Sequence, residues 1–293
     1  MMHYLLGTRR RYRDTLAMLR RFSQLDVFTD KPLLGNPLAV VVDAAGLSTD
    51  QMQAFARWTN LSETTFLLEP TDSSADYRVR IFTPVEELPF AGHPTLGSAY
   101  AWLSHGGLPK KQDFIVQECG VGLIRVRQDD TILAFEAPSL LRGGPAGESD
   151  ILEAANALGI DRSSIIDSAW VDNGPGWLGI LLSSADEVLS IKPRAMDLTI
   201  GVVGSYPTGS PYKYEVRAFY SKSGVTLEDP VTGSLNASLA QWLIETGRVA
   251  APYRASQGTA LGRAGVVHIS ADESGSVWVG GDVVSCVEGT VDI

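Results

Sequence analysis

The chain of 293 residues is poor in several residue types that would commit it to a familiar class. It has only two cysteines, Cys119 and Cys286, which excludes a disulfide framework and fits a reducing cytoplasm. Its four histidines (His3, His93, His105 and His268) lie far apart, with no HExxH and no Cys/His ligand spacing, so no metal site is expected. No run of 18 apolar residues occurs, which argues against a membrane helix. Basic charge is scarce outside one place. Residues 1–21 hold six arginines against the single acid Asp14, and the remainder carries 18 basic and 33 acidic side chains. An acidic body of this kind is a poor nucleic-acid binder, because phosphate contacts need clustered Lys and Arg. The Arg-rich start reads as an extension in front of the folded part, with a targeting peptide as the alternative.

What is present is a repeat. Tyr77–Phe82 reads YRVRIF and Tyr214–Phe219 reads YEVRAF; Pro89–His93 reads PFAGH and Pro230–Ser234 reads PVTGS. Each is followed by a helix-like run ending in Trp-Leu, SAYAWL at 98–103 and SLAQWL at 238–243. Three matches in the same order imply a duplicated unit, with its seam in the Gly/Pro-rich stretch 138–150. Short Val-, Ile-, Phe- and Thr-rich segments predict strands near 23–29, 38–42, 64–69, 76–82, 113–117, 121–127 and 131–136, with helices near 49–58 and 93–105. The second half predicts helices near 149–158 and 234–246, strands near 166–171, 177–183, 199–204 and 213–220, and strands to the end. Strict βαβ alternation is missing, which disfavours a doubly wound sheet and points to sheets curved around a helix.

Each Gly-containing turn opens a helix, where free backbone N–H groups and the dipole favour an anion. Two such ends facing one cleft would clamp one carboxylate. His93 and Ser234 fill the same slot of the repeat. Glu63, in NLSETTF, has the spacing of a capping box with Asn60, yet a β-branched apolar run follows it. A carboxylate entering such a strand is partly buried, which raises its pKa and suits acid–base work. Asp229 before Pro230 reads first as a turn starter. Gly174–Gly179 matches GxGxxG, but a strand-like run follows where the dinucleotide fingerprint needs a helix.

The segments LDVFTDKPLLGNPLAVVVDAAGLS (25–48), NLSETTFLL (60–68), RIFTPVEELPFAGHPTLGSAY (80–100) and EDPVTGSLNASL (228–239) together resemble the PhzF family, relatives of the phenazine-biosynthesis isomerase. The resemblance implies an α+β, diaminopimelate-epimerase-like fold of two pseudo-symmetric halves, each a curved sheet or barrel around a central helix. The expected division is 1–21 extension, 22–145 first half and 146–293 second half, with return of the last strand to the first half left open. It further implies Glu63 as general acid–base, Ser62 as a substrate contact beside it, and Gly92, His93, Gly233 and Ser234 holding the substrate's carboxylate and ring. Asp229 would meet a polar substituent such as an amine. Epimerases of similar fold use one cysteine from each half; here those slots hold His93 and Ser234. The expected activity is therefore a cofactor-independent isomerisation in which one Glu shifts a proton on a small cyclic or unsaturated amino or hydroxy acid. The expected partners are that small carboxylate and a second subunit of a homodimer, with no nucleic acid, membrane, metal or cofactor. The alternatives are an epimerase or racemase using Glu63 and His93, and a non-catalytic binding protein on the same fold.

Overall fold

The computed structural model describes residues 19–129, 131–222 and 224–293, and within them eighteen strands join one hydrogen-bonded network. Its pairing order repeats. Leu19–Val27 runs antiparallel to Asn36–Val41, which runs parallel to Glu63–Leu68, as Asp167–Asp172 runs antiparallel to Trp177–Leu182 and the latter parallel to Thr199–Ser205. Tyr77–Phe82 then pairs parallel with Ile115–Cys119, and Tyr214–Lys222 parallel with Tyr253–Gln257. The two series meet where Ile132–Glu136 lies antiparallel to Val277–Gly281. Each series borrows a strand that follows the other: Arg142–Pro145 pairs with Asp167–Asp172, and Val283–Asp292 with Leu19–Val27. Arg20 and Arg21 lie inside the first strand, and the earlier arginines fall outside the described residues.

Five α-helices complete the described chain. Helix α1 (Thr49–Thr59) starts at Ser48, whose side chain accepts from Gln51 N in a capping box. Asn60 ends α1 in the left-handed conformation (φ 54°), so it closes one helix and does not open another at Glu63. Helices α3 (Glu148–Leu158) and α4 (Ala185–Ser190) cover the outside of the second half, as α1 covers the first; their apolar faces form separate outer cores. Helix α2 (Gly92–Ser104) and helix α5 (Gly233–Glu245) differ in kind. Nine residues of each are buried, around most of the circumference, because the sheet wraps them. The main core joins both: Leu96, Ala99, Leu235 and Leu239 pack in one cluster with Val27, Phe135, Val216 and Val279. Polar groups inside it find partners, as where Ser98 Oγ donates to Thr65 Oγ1 at 3.0 Å and Gln117 Nε2 to Thr95 Oγ1 at 3.0 Å.

Predicted and observed elements agree closely. The short ones that lacked a signal are α4, the strands Val225–Asp229 and Arg142–Pro145, and the two-residue strand Glu87–Leu88. The GxGxxG segment is the tip of an antiparallel hairpin between Asp167–Asp172 and Trp177–Leu182, with Asp172 Oδ1 accepting from Gly174 N and Gly176 N at 2.7 Å each. Among the described residues, no helix is long and apolar enough to cross a membrane, and no group of three His, Cys, Asp or Glu side chains is placed to hold a metal.

Candidate active site

The starts of α2 and α5 touch. A Cβ built on Gly92 would lie 2.9 Å from Gly233 Cα, and one on Gly233 would lie 2.9 Å from Gly92 Cα. Only glycine allows this approach. Neither N-cap residue, Ala91 or Thr232, caps its helix through the side chain, and neither first turn holds an acid. Two helix starts therefore converge with their positive ends uncompensated.

Glu63 opens its strand beside this junction, in register with Leu38 of the parallel neighbour. Its side chain is 16 % exposed, and its Oε2 lies 3.4 Å from Nε2 of His93, the second residue of α2. Both atoms are buried without a hydrogen-bond partner. Burial first, then the charge of Asp229, raises the Glu63 carboxyl to about 8, with Lys222 opposing. Burial lowers His93 to about 3 against a hydrogen bond with the Pro37 backbone. At neutral pH the contact is thus between a largely protonated carboxyl and a neutral imidazole, and it is not an ion pair.

Asp229 closes the site from the second half. Thr232 Oγ1 and Asn36 Nδ2 (3.1 Å) donate to its two oxygens. Burial raises Asp229 to about 6, with these two bonds holding it down. Gln257 supports Thr232, donating from Nε2 to Thr232 Oγ1 at 2.9 Å and to the Asp229 carbonyl at 3.2 Å. Asp229 ends the strand Val225–Asp229, and the neighbouring Glu228 is fixed by a buried two-pronged pair with Arg217 at 2.9 and 2.7 Å. Ser234 Oγ accepts from Trp177 Nε1 at 3.1 Å, while Asn173 Nδ2 donates to the Ser234 carbonyl at 2.8 Å. Ser62 is half-buried in the bend just before Glu63.

Glu63, His93 and Asp229 thus gather around the Gly92–Gly233 junction, with Ser62 and Ser234 adjoining along the chain. Asn36, Thr232, Gln257, Trp177 and Tyr220 were missed by sequence reasoning. The Tyr220 hydroxyl is pushed up to about 12 by burial and by the charges of Asp229 and Glu63. Asn36 and Thr232 lay in stretches that carried a family signal, the GNPL of the first motif and PVTGS, and Trp177 in the GxGxxG match.

The family's sequence pattern, described as a phenazine biosynthesis-like protein, matches residues 25–289. The chain belongs to the PhzC-PhzF family. Among curated relatives of this PhzF-like chain, antisense-enhancing sequence 1 of Schizosaccharomyces pombe is 38 % identical over 92 % of the chain and 97 % of that protein. The trans-2,3-dihydro-3-hydroxyanthranilate isomerase of Pseudomonas chlororaphis is 34 % identical over 91 % of the chain and 97 % of its own length. A PhzF-family protein of Bacillus anthracis superposes with a TM-score of 0.79 at 22 % identity, over 94 % of this chain and 100 % of that one. A hydroxyproline epimerase of Agrobacterium vitis shares the fold more distantly, with a TM-score of 0.56 at 13 % identity over 94 % and 93 % of the two chains. The fold is thus the epimerase-like one, and the family places this chain among isomerases.

The two thiols lie apart from these residues. Cys119 ends the strand Ile115–Cys119 and Cys286 sits in Val283–Asp292; burial raises both above the usual thiol range, which disfavours the thiolate. The double change Cys119→Ser with Cys286→Ser is expected to leave turnover within about twofold of the parent. Loss of all activity in a folded double variant would assign the chemistry to a thiol.

Proposed function

We propose that this PhzF-like protein is a cofactor-independent isomerase in which Glu63 alone moves a proton on a small cyclic or unsaturated amino or hydroxy carboxylic acid. The observation that carries the reading is the Glu63 carboxyl, raised to about 8 with an unpartnered buried oxygen, beside two uncapped helix starts. The substrate carboxylate sits at the N–H groups around Gly92–His93 and Gly233–Ser234, and a substrate amine sits at Asp229. The Glu63 carboxylate takes a proton from a carbon conjugated to the bound acid group. The electron pair moves into the conjugated system, where the helix ends stabilise the added charge. The new Glu63 carboxyl then returns the proton to a carbon two bonds away, and the site is restored with no atom gained or lost. A positioned acid–base group supplies about 10²–10⁴-fold, and preorganised donors about 10²–10³-fold each.

The Glu63–His93 contact favours one base over two. Groups working on opposite faces of a carbon must straddle it at about 3–3.5 Å on each side, so roughly 6–7 Å apart. Here they lie 3.4 Å apart on one wall.

The test uses trans-2,3-dihydro-3-hydroxyanthranilate, the compound for which the Pseudomonas chlororaphis relative is named. Incubated in D₂O and followed by proton NMR, it should isomerise with wild-type protein and stay unchanged with Glu63→Gln. Equal rates for the two proteins would sink the reading.

A pH profile follows from the same groups. Glu63 must be ionised to act as base, so kcat/KM should rise about tenfold per pH unit between about 6 and 8 and level off above. Below about 6 the protonation of Asp229 removes the amine site, and the slope should approach two. A flat profile from pH 6 to 8 would show that Glu63 is not the base.

A further inference from the structure

Asn36 is wholly buried at the start of Asn36–Val41, and its amide reaches three groups from two halves of the molecule. Nδ2 donates to Val231 O at 2.9 Å and to Asp229 Oδ1 at 3.1 Å, and lies 3.4 Å from His93 Nδ1. An amide nitrogen has two hydrogens. The two shorter contacts, to a carbonyl and a carboxylate that can only accept, claim both. They also fix the orientation of the amide, since the flipped form would put its oxygen against two acceptors. His93 Nδ1 is left with the longest contact and is free to serve the Pro37 backbone, which turns Nε2 towards Glu63.

We propose that Asn36 is the positioning residue of this site: it holds Asp229 as a hydrogen-bond acceptor and, by giving both amide hydrogens to the second half, leaves His93 Nδ1 to the Pro37 backbone. The inference rests on the reading of the cleft as the active site, but it concerns states of the ligand-free protein. The titratable groups around Asp229 are Glu63, Tyr220 of Tyr214–Lys222, and Glu228 beside it, held by Arg217, with His93 of α2 across the Asn36 amide and Lys222 acting on Glu63. Asp26, buried one strand away, holds Gly35 N at 2.9 Å and so faces the other side of the same turn. Of these groups none donates a hydrogen bond to Asp229; Asn36 and Thr232 do. Removing Asn36 removes one of the two side-chain hydrogen bonds that favour the ionised carboxyl, and also the link between Asp229 and the first half.

The experiment is an NMR titration of unliganded protein labelled at aspartate carboxyls, asparagine side-chain amides and histidine ring nitrogens, with Asp229 assigned through Asp229→Asn. In the wild-type chain the Asn36 amide protons should shift at the same midpoint as Asp229, because the bond weakens when the carboxyl gains a proton. In Asn36→Ser and Asn36→Asp the Asp229 midpoint should rise by about one unit or more, most in Asn36→Asp, which adds a like charge. The His93 ring-nitrogen shifts should change in both. A structural role alone would lower the melting temperature and leave the Asp229 midpoint and His93 shifts unmoved in the folded variants. Asn36 amide signals that stay flat through the Asp229 transition in wild type would overturn the proposal even if neither variant folds. Glu63→Gln turnover tests the isomerase reading separately, so the two can fail independently.

Discussion

Glu63→Gln should lose two or more orders of magnitude in turnover and at the same time melt at a higher temperature than the parent. Both effects come from one group. The folded chain holds the Glu63 proton up to about 8, whereas the unfolded chain releases it near the ordinary value of 4.5. A raised folded pKa means that stability is fully present below about 4.5 and is lost as pH rises through 8. Glutamine cannot ionise, so it escapes that loss. The gain should reach roughly 2–4 kcal/mol at pH 8 and vanish near pH 4. Thermal melts of the two proteins at pH 4, 6 and 8 check the sign, and isomerase assays check the loss. Melting curves that stay parallel across this range would remove the claim that Glu63 is held protonated by burial. An active site that costs stability is the familiar trade between function and folding.

A second large effect is expected at the helix junction. Gly233→Ala in an ordinary helix would stabilise by about 0.5–1 kcal/mol, since alanine has the better propensity. Here the added methyl would lie 2.9 Å from Gly92 Cα and 3.1 Å from His93 N, a contact that only movement of backbone can relieve. The expected result is the opposite sign, a loss of about 1–3 kcal/mol. Parting the two helix starts also spreads the carboxylate site, and a shift of about 1 Å at such a site can cost about 10²-fold. Gly92→Ala should behave alike, with the Phe135 ring at 2.8 Å as a further obstacle. Sulfate binding followed by calorimetry gives a readout without substrate: it should weaken in both variants. Unchanged stability and sulfate affinity in both would show that the junction tolerates separation.

Much of this site was legible because the chain states it twice. The PFAGH and PVTGS turns place Gly92, His93, Gly233 and Ser234 by internal comparison, and YRVRIF and YEVRAF locate the strands that frame them. Glu63 was legible because a strand, not a helix, follows it. Asp229 was ambiguous, since Asp-Pro serves turns as well as sites; in the structure its two oxygens accept from Asn36 and Thr232. Asn36 could not be paired with Asp229 in advance, because 193 residues separate them and no local period links them. Trp177 was hidden inside a false dinucleotide motif. Helix α4 escaped notice because six residues show too little of a 3.6-residue period, and Arg142–Pro145 because Gly and Pro usually end strands.

The exchange of strands between the halves bears on how the chain is made. Leu19 pairs with Asp292, so the strand beside the Glu63-bearing half is completed by residues synthesised more than 250 positions later. During translation the first half emerges with the edge of Leu19–Val27 unpaired on the side that Val283–Asp292 later fills. Neither half can therefore mature alone in the manner of beads folded one after another. A ribosome that stops at residue 282 would release a polypeptide holding every acid, imidazole and glycine of the cleft, yet with an open seam. An unpaired edge of that kind is a template for association with other chains, and the ten-residue strand Val283–Asp292 is what covers it.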